Sequence, residues 1–134
     1  MEEGDLQRAV QQIRVDGHML LLTLEPANGL GTVTPETAEA LAKLLSEFNE
    51  DGVPVIVRFA HEMNGSWYAW SQQPEAYISA FRTLAAAIHA YAPGSAMMWA
   101  PNYGGGYPFA GGAFEAKNPA PQRSPPWTPT VTVR

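Results

Sequence analysis

Apolar residues along this chain follow two alternating rhythms. Short continuous runs of strand length alternate with segments whose apolar side chains recur at i, i+3, i+4 and i+7. The first helical segment carries Leu6, Ala9, Val10 and Ile13, with Asp5 at the capping position and Asp16-Gly17 as a stop. His18-Met-Leu-Leu-Leu-Thr-Leu24 then reads as a buried strand. It ends at Glu25-Pro26, because proline cannot donate to a sheet ladder. Thr34-Pro35-Glu36 opens a second helix with an N-cap hydroxyl, a proline at the first turn and an acid where the helix dipole favours one. Its apolar stripe is Ala38, Leu41, Leu45 and Phe48, and Asp51-Gly52 stops it. The β-branched run Val53-Pro-Val-Ile-Val57 continues to Phe59 as the next strand. Pro74-Glu75 starts a third helix with Tyr77, Phe81, Leu84 and Ile88 inward; Pro93-Gly94 closes it, and Ala96-Met-Met-Trp99 is a further strand, broken by Pro101.

The order helix, strand, helix, strand, helix, strand predicts an α/β fold. Its parallel strands lie near residues 19–24, 54–59 and 96–100 and are joined by right-handed crossovers. The connections are lopsided: each helix returns to its strand through a tight glycine turn, whereas each strand leaves through a longer polar loop. Glu25, His61-Glu62 and Trp99 to Asn102 all fall at strand C-terminal ends, the face that carries chemistry in (β/α) barrels. Beyond Asn102 the pattern fades into Tyr103-Gly-Gly-Gly-Tyr-Pro108 and Gly111-Gly112, and Pro119 to Pro129 holds five prolines. The expected division is a partial barrel domain over 1–112 and a disordered, proline-rich tail over 113–134.

The densest chemistry lies between residues 58 and 70, where Arg58, His61, Glu62, Asn64, Trp67, Tyr68 and Trp70 follow the second strand. A carboxylic acid ringed by imidazole, amide, guanidinium and indole groups suits sugar cleavage. The acid donates a proton to a glycosidic oxygen, polar groups bind hydroxyls, and flat indoles cover the apolar face of a pyranose. Composition agrees, with 46% apolar and 16% charged residues marking a globular chain and a net charge of −5 arguing against nucleic acid or an anionic membrane surface. There is no cysteine, which removes disulfides and thiolate metal sites. Met1-Glu-Glu-Gly-Asp5 lacks the basic start of a signal peptide, so location is not indicated.

The stretch Arg58-Phe-Ala-His-Glu-Met-Asn-Gly-Ser-Trp-Tyr-Ala-Trp70 resembles the signature of glycoside hydrolase family 26, whose members include β-mannanases, β-1,3-xylanases and mixed-linkage glucanases. The resemblance extends over roughly residues 5 to 112. It implies a TIM-type (β/α)8 barrel in which a His-Glu pair ends the fourth strand, a retaining two-carboxylate mechanism, and secretion of the parent protein. Glu62 matches the proton donor, His61 the neighbouring substrate-side histidine and Trp67 the indole near the cleaved bond. The chain has 134 residues, and such a barrel needs about 250, with roughly 200 as a floor. The expectation is therefore a central fragment holding the third to fifth strands, without the nucleophile that the family places at the end of the seventh. The expected partner is a β-linked polysaccharide or oligosaccharide, mannan favoured, with no cofactor, no metal, and self-association through unpaired barrel edges.

Most of these residues also admit a structural role. An arbitrary Glu at a strand end is usually an ion-paired structural group, and the aromatic neighbours reverse that balance for Glu62; partial burial beside Trp67 and Trp70 would help it keep a proton. His61-Glu62 is not a zinc protease motif, because the second histidine would fall at Gly65. Arg58, in an apolar strand, requires a partner, with Glu25 or the missing nucleophile as the expected carboxylate. Trp67 is assigned to sugar stacking, Trp70 to core, and Tyr68 to either; Trp99, Asn102 and Glu25 are substrate-side candidates, and Arg58 and Asn64 orienting ones. Asn64-Gly65-Ser66 also fits a glycosylation pattern, taken as chance. The alternative from another class is a non-catalytic α/β protein that binds carbohydrate or a partner chain.

Overall fold

The computed structural model describes residues 3–102. Its elements are α1 (Glu3–Asp16), β1 (Leu20–Leu24), α2 (Pro35–Glu50), β2 (Val55–Phe59), α3 (Pro74–Tyr91) and β3 (Ser95–Met98), with a 3-10 turn at Leu30–Thr32 ahead of α2. The glycine-rich stretch from Tyr103 and the tail expected over 113–134 lie outside the described residues. No helix among the described residues is long and apolar enough to cross a membrane.

Local chemistry sets the helix boundaries. Thr34 caps α2 reciprocally: its hydroxyl accepts from the Thr37 N–H at 3.3 Å, and the Thr37 hydroxyl accepts from the Thr34 N–H at 2.9 Å. Helices α1 and α2 end in the same device. Gly17 and Gly52 take left-handed φ values of 69° and 82°, which cost a glycine nothing. The following N–H groups of His18 and Val53 then reach back to the carbonyls of Ile13 and Phe48 at 3.1 and 2.9 Å. One boundary differs from expectation, since α1 begins at Glu3 and so holds Asp5 inside its first turn rather than at its cap.

The three strands form one parallel sheet in the order β1-β2-β3, with Leu22 opposite Val57 and Val57 opposite Met97. Strand β3 starts earlier and stops sooner than the expected 96–100. Its Trp99 and Ala100 leave the ladder because β2 has already turned away at Ala60, and the Ala100 carbonyl accepts instead from the N–H of Glu62 at 2.7 Å.

Alternation along β2 shows which face is covered. Val55, Val57 and Phe59 are buried against the helices, while Ile56 and Arg58 on the other face are only partly covered. Beneath the sheet lie two apolar clusters, one of Val10, Leu45, Phe48, Val53, Val55, Val57 and Ile88, the other built around Phe59, Met63, Trp70, Tyr77, Phe81 and Leu84. The stripe expected on α3 is buried throughout. On α2 the helix is rotated slightly from expectation, so that Ala42 is fully buried and Leu41 lies at the margin of both clusters. Each fully buried large side chain contributes roughly 1.5–3 kcal/mol.

Two expected outcomes follow from this packing. The Tyr77 ring is fully buried between Phe59 and Phe81, with centroids 5.7 and 5.9 Å away, and burial pushes its phenol well above the ordinary tyrosine range. The folded state therefore holds that proton more tightly than the unfolded chain, so its stability contribution is full below a pH of about 10 and falls as pH rises past it. Denaturant midpoints measured across alkaline pH should show this decline, and Tyr77→Phe should flatten it. On the uncovered side, Met19 and Leu21 of the β1 edge are 59% and 52% exposed, and open apolar edges promote pairing with another chain. Sedimentation should show concentration-dependent association that Leu21→Lys weakens; a monomer at all concentrations would contradict it.

Candidate functional site

All three strands stop at one level, and the chain between β2 and α3 folds across their C-terminal ends. That crossing needs backbone conformations that L-residues avoid: Ala60, Glu62 and Gln72 have φ values of 42°, 53° and 57°. Each costs of order 1–3 kcal/mol and persists only where surroundings impose it. The imposing bonds are present. The Ala60 N–H donates to the Leu24 carbonyl at 2.9 Å and the Glu62 N–H to that of Ala100, so the turn is tied to both flanking strands. The Gly65 N–H closes on the Glu62 carbonyl at 2.9 Å, and the Gln72 N–H reaches the Met63 carbonyl at 2.8 Å.

Side chains anchor the same loop from below. Met63 is 1% exposed and enters the upper core cluster. Asn64, 6% exposed, uses both ends of its amide on one residue: Nδ2 donates to the Asn102 carbonyl at 3.1 Å, and Oδ1 accepts from the Asn102 N–H at 2.7 Å. This clamp ties the loop to the segment that follows β3, and the amide nitrogen that a glycan would need is buried in it. Asn102 joins the site here through its backbone.

Above the anchors, Glu62 is partly exposed, and the Trp67 Nε1–H donates to its Oε2 at 3.0 Å. Trp67 itself is 44% exposed. Beside it stands an aromatic wall in which Tyr68 and Trp70 stack at 4.4 Å between centroids with planes 11° apart. The Trp70 indole N–H donates to the His61 carbonyl at 2.9 Å, and Trp70 is 3% exposed, in keeping with its expected core role. It lies against Tyr68 and His61, whereas the indole bonded to Glu62 is Trp67's alone among the described residues.

His61 meets both rings edge-on, and its Nε2 lies 3.2 Å from the Tyr68 hydroxyl. Its Nδ1 faces the Glu25 carboxylate at 3.9 Å, too far for a hydrogen bond but close enough for attraction. Those neighbours favour the tautomer with a proton on Nδ1 toward Glu25 and an Nε2 that accepts from Tyr68. Glu25, one of the two carboxylates expected to pair with Arg58, thus faces His61 instead. Arg58 instead donates from Nε to the Thr23 hydroxyl at 3.2 Å, the residue opposite it in the β1–β2 register, and no carboxylate among the described residues is ion-paired with it. The reason is positional: Thr23 is level with Arg58, while Glu25 lies past the strand end, where the His61 ring arrives first.

Trp99 packs against the upper core cluster, with its indole nitrogen buried and without a hydrogen-bond partner. The ring expected as a sugar platform is therefore partly committed to the core. Among the described residues no three His, Cys, Asp or Glu side chains converge to hold a metal ion. What the sequence concealed was the left-handed trio at Ala60, Glu62 and Gln72, since none of these residue types signals such a backbone. The one available clue to the clamp was an amide, Asn64, placed next to the apolar Met63.

A parallel α/β unit that displays an acid, an imidazole and an exposed indole on a loop beyond its strand ends has the layout of a carbohydrate-cleaving enzyme face. The sequence profile of glycosyl hydrolase family 26 matches residues 21–104, well over half the chain, from the second residue of β1 through the loop just described. The chain belongs to glycosyl hydrolase family 26. Neither a curated protein nor a solved structure matches it.

The Asn64 clamp generates a stability expectation. Asn64→Ala would leave both backbone groups of Asn102 unpaired and should cost about 1–3 kcal/mol. Amide hydrogen exchange should accelerate at Asn102 and across the 60–72 loop, with little change in α2.

Proposed function

We propose that this chain supplies the acid/base half of a retaining glycosidase acting on a β-linked polysaccharide, with mannan the favoured substrate. The observation that carries the reading is the placement of Glu62: a partly exposed carboxyl at the C-terminal end of β2, on a strained loop tied to both neighbouring strands. Strain held in this way preorganises a group. In the proposed reaction Glu62 gives its proton to the glycosidic oxygen as a second carboxylate attacks the anomeric carbon. The resulting Glu62 carboxylate then takes a proton from the water that releases the sugar. Trp67 offers the exposed ring against which a pyranose stacks, and the His61–Tyr68 pair lines the side of the site.

In this reading β1 to β3 are three consecutive strands of a (β/α)8 barrel. Further strands pair with the open edges of β1 and β3, and one of them brings the nucleophile. Retaining enzymes hold their two carboxyl groups about 5–5.5 Å apart, so the partner acid has to reach the exposed side of Glu62 from across the barrel mouth.

The expected result is that the isolated chain releases no reducing sugar from mannan, β-1,3-xylan or mixed-linkage glucan, because an acid alone contributes only about 10²–10⁴-fold. In a protein that completes the barrel around this chain, Glu62→Gln should lower turnover of natural polysaccharide by a factor in that range. It should do far less to aryl glycosides whose leaving groups need no proton. Equal losses on both substrates would make Glu62 a nucleophile or a structural group. Saccharide binding without turnover in the completed protein would favour the non-catalytic alternative.

A further inference from the structure

Gly65 is buried, and its φ is not positive, so backbone conformation does not explain the glycine. What does explain it is Trp67. A Cβ on residue 65 would stand 2.6 Å from Cζ2, 2.7 Å from Cε2 and 2.8 Å from Cη2 of the Trp67 indole, distances that real Cβ atoms do not tolerate. The ring therefore lies directly on the bare Cα of Gly65, and in that position its Nε1–H meets Glu62 Oε2 at 3.0 Å.

We propose that Gly65 is a positioning residue for Glu62: by giving the Trp67 indole a floor without a side chain, it sets which carboxyl oxygen is bound and which is free. Oε2 accepts from the indole, so the transferable proton resides on Oε1. A Cβ at 65 would lift the ring, because the ring can move and the loop cannot. Trp67 is 44% exposed, whereas Met63 and Asn64 on the other side of Gly65 are buried and the backbone is bonded at residues 60, 62 and 65. With the ring lifted, the hydrogen bond opens and both oxygens of Glu62 become equivalent. The catalytic meaning rests on the reading of Glu62 as proton donor, but the coupling of Gly65 to Trp67 and Glu62 does not.

The test is proton–nitrogen NMR of the indole signals in the full chain, which requires no turnover. In the wild type the Trp67 indole N–H should shift in a single step when Glu62 is titrated, and Glu62→Gln should abolish that step. Gly65→Ala should abolish it equally and leave the Trp70 indole N–H, bonded to the His61 carbonyl, unmoved. A step that survives in Gly65→Ala would overturn the proposal, as would a displaced Trp70 signal, because the glycine would then serve the loop rather than the ring. Melting curves give an independent check. Any loss of stability from Gly65→Ala should disappear in a Trp67→Ala background, since the clash goes with the ring; a loss that persists there overturns the assignment. If polysaccharide assays removed Glu62 from the proton-donor role, these signals would still report on Gly65, so the two ideas fail separately.

Discussion

The rest of the site depends on two carbonyl oxygens at the ends of neighbouring strands. Leu24 and Ala100 accept from Ala60 and Glu62, and those bonds hold two L-residues in left-handed conformations at the exit of β2. Without them the strand would run on or relax, and Glu62 would turn with it. The parallel sheet makes the arrangement available, because strands that run in one direction finish on one side, and β2 lies between the two whose chains supply these carbonyls. The α2 and α3 helices pack beneath the sheet and share its two core clusters.

From that constraint the side chains fall into two layers. Met63, Asn64 and Trp70 face inward and hold the loop, while Glu62 and Trp67 are left outside. His61 lies between them, walled by Tyr68 and Trp70 and approached by Glu25. The acid is thus carried by a strained but multiply bonded backbone. This is the combination expected where a group must hold its direction while a large substrate passes over it.

Much of this was legible from residue order. The alternation of apolar rhythms located the three α-helices and three strands, and the aspartate–glycine pairs at the ends of α1 and α2 located two helix ends, because a left-handed glycine is a local requirement. The stretch from Arg58 to Trp70 was conspicuous because it gathers a carboxylic acid, an imidazole, amides and indoles within thirteen residues. Arg58 was legible only in part: of the carboxylates expected for it, Glu25 turns to His61, and the contact the structure gives the guanidinium is the Thr23 hydroxyl opposite. The choice between those partners is made by the β1–β2 register, which no local pattern reports.

By itself the sequence determined the α/β alternation, the Thr34 cap of α2, the buried stripe of α3 and the family to which the chain belongs, all of which depend on neighbours close along the chain or on a contiguous motif. Tertiary structure alone decided that Ala60, Glu62 and Gln72 adopt left-handed backbone, that Asn64 grips Asn102, that Trp67 rather than Trp70 bonds Glu62, and that Gly65 serves as the floor for that indole. The physical reason is common to them. A strained or closely approached backbone is stable only when atoms from other strands hold it, and those atoms come together only once the sheet has formed.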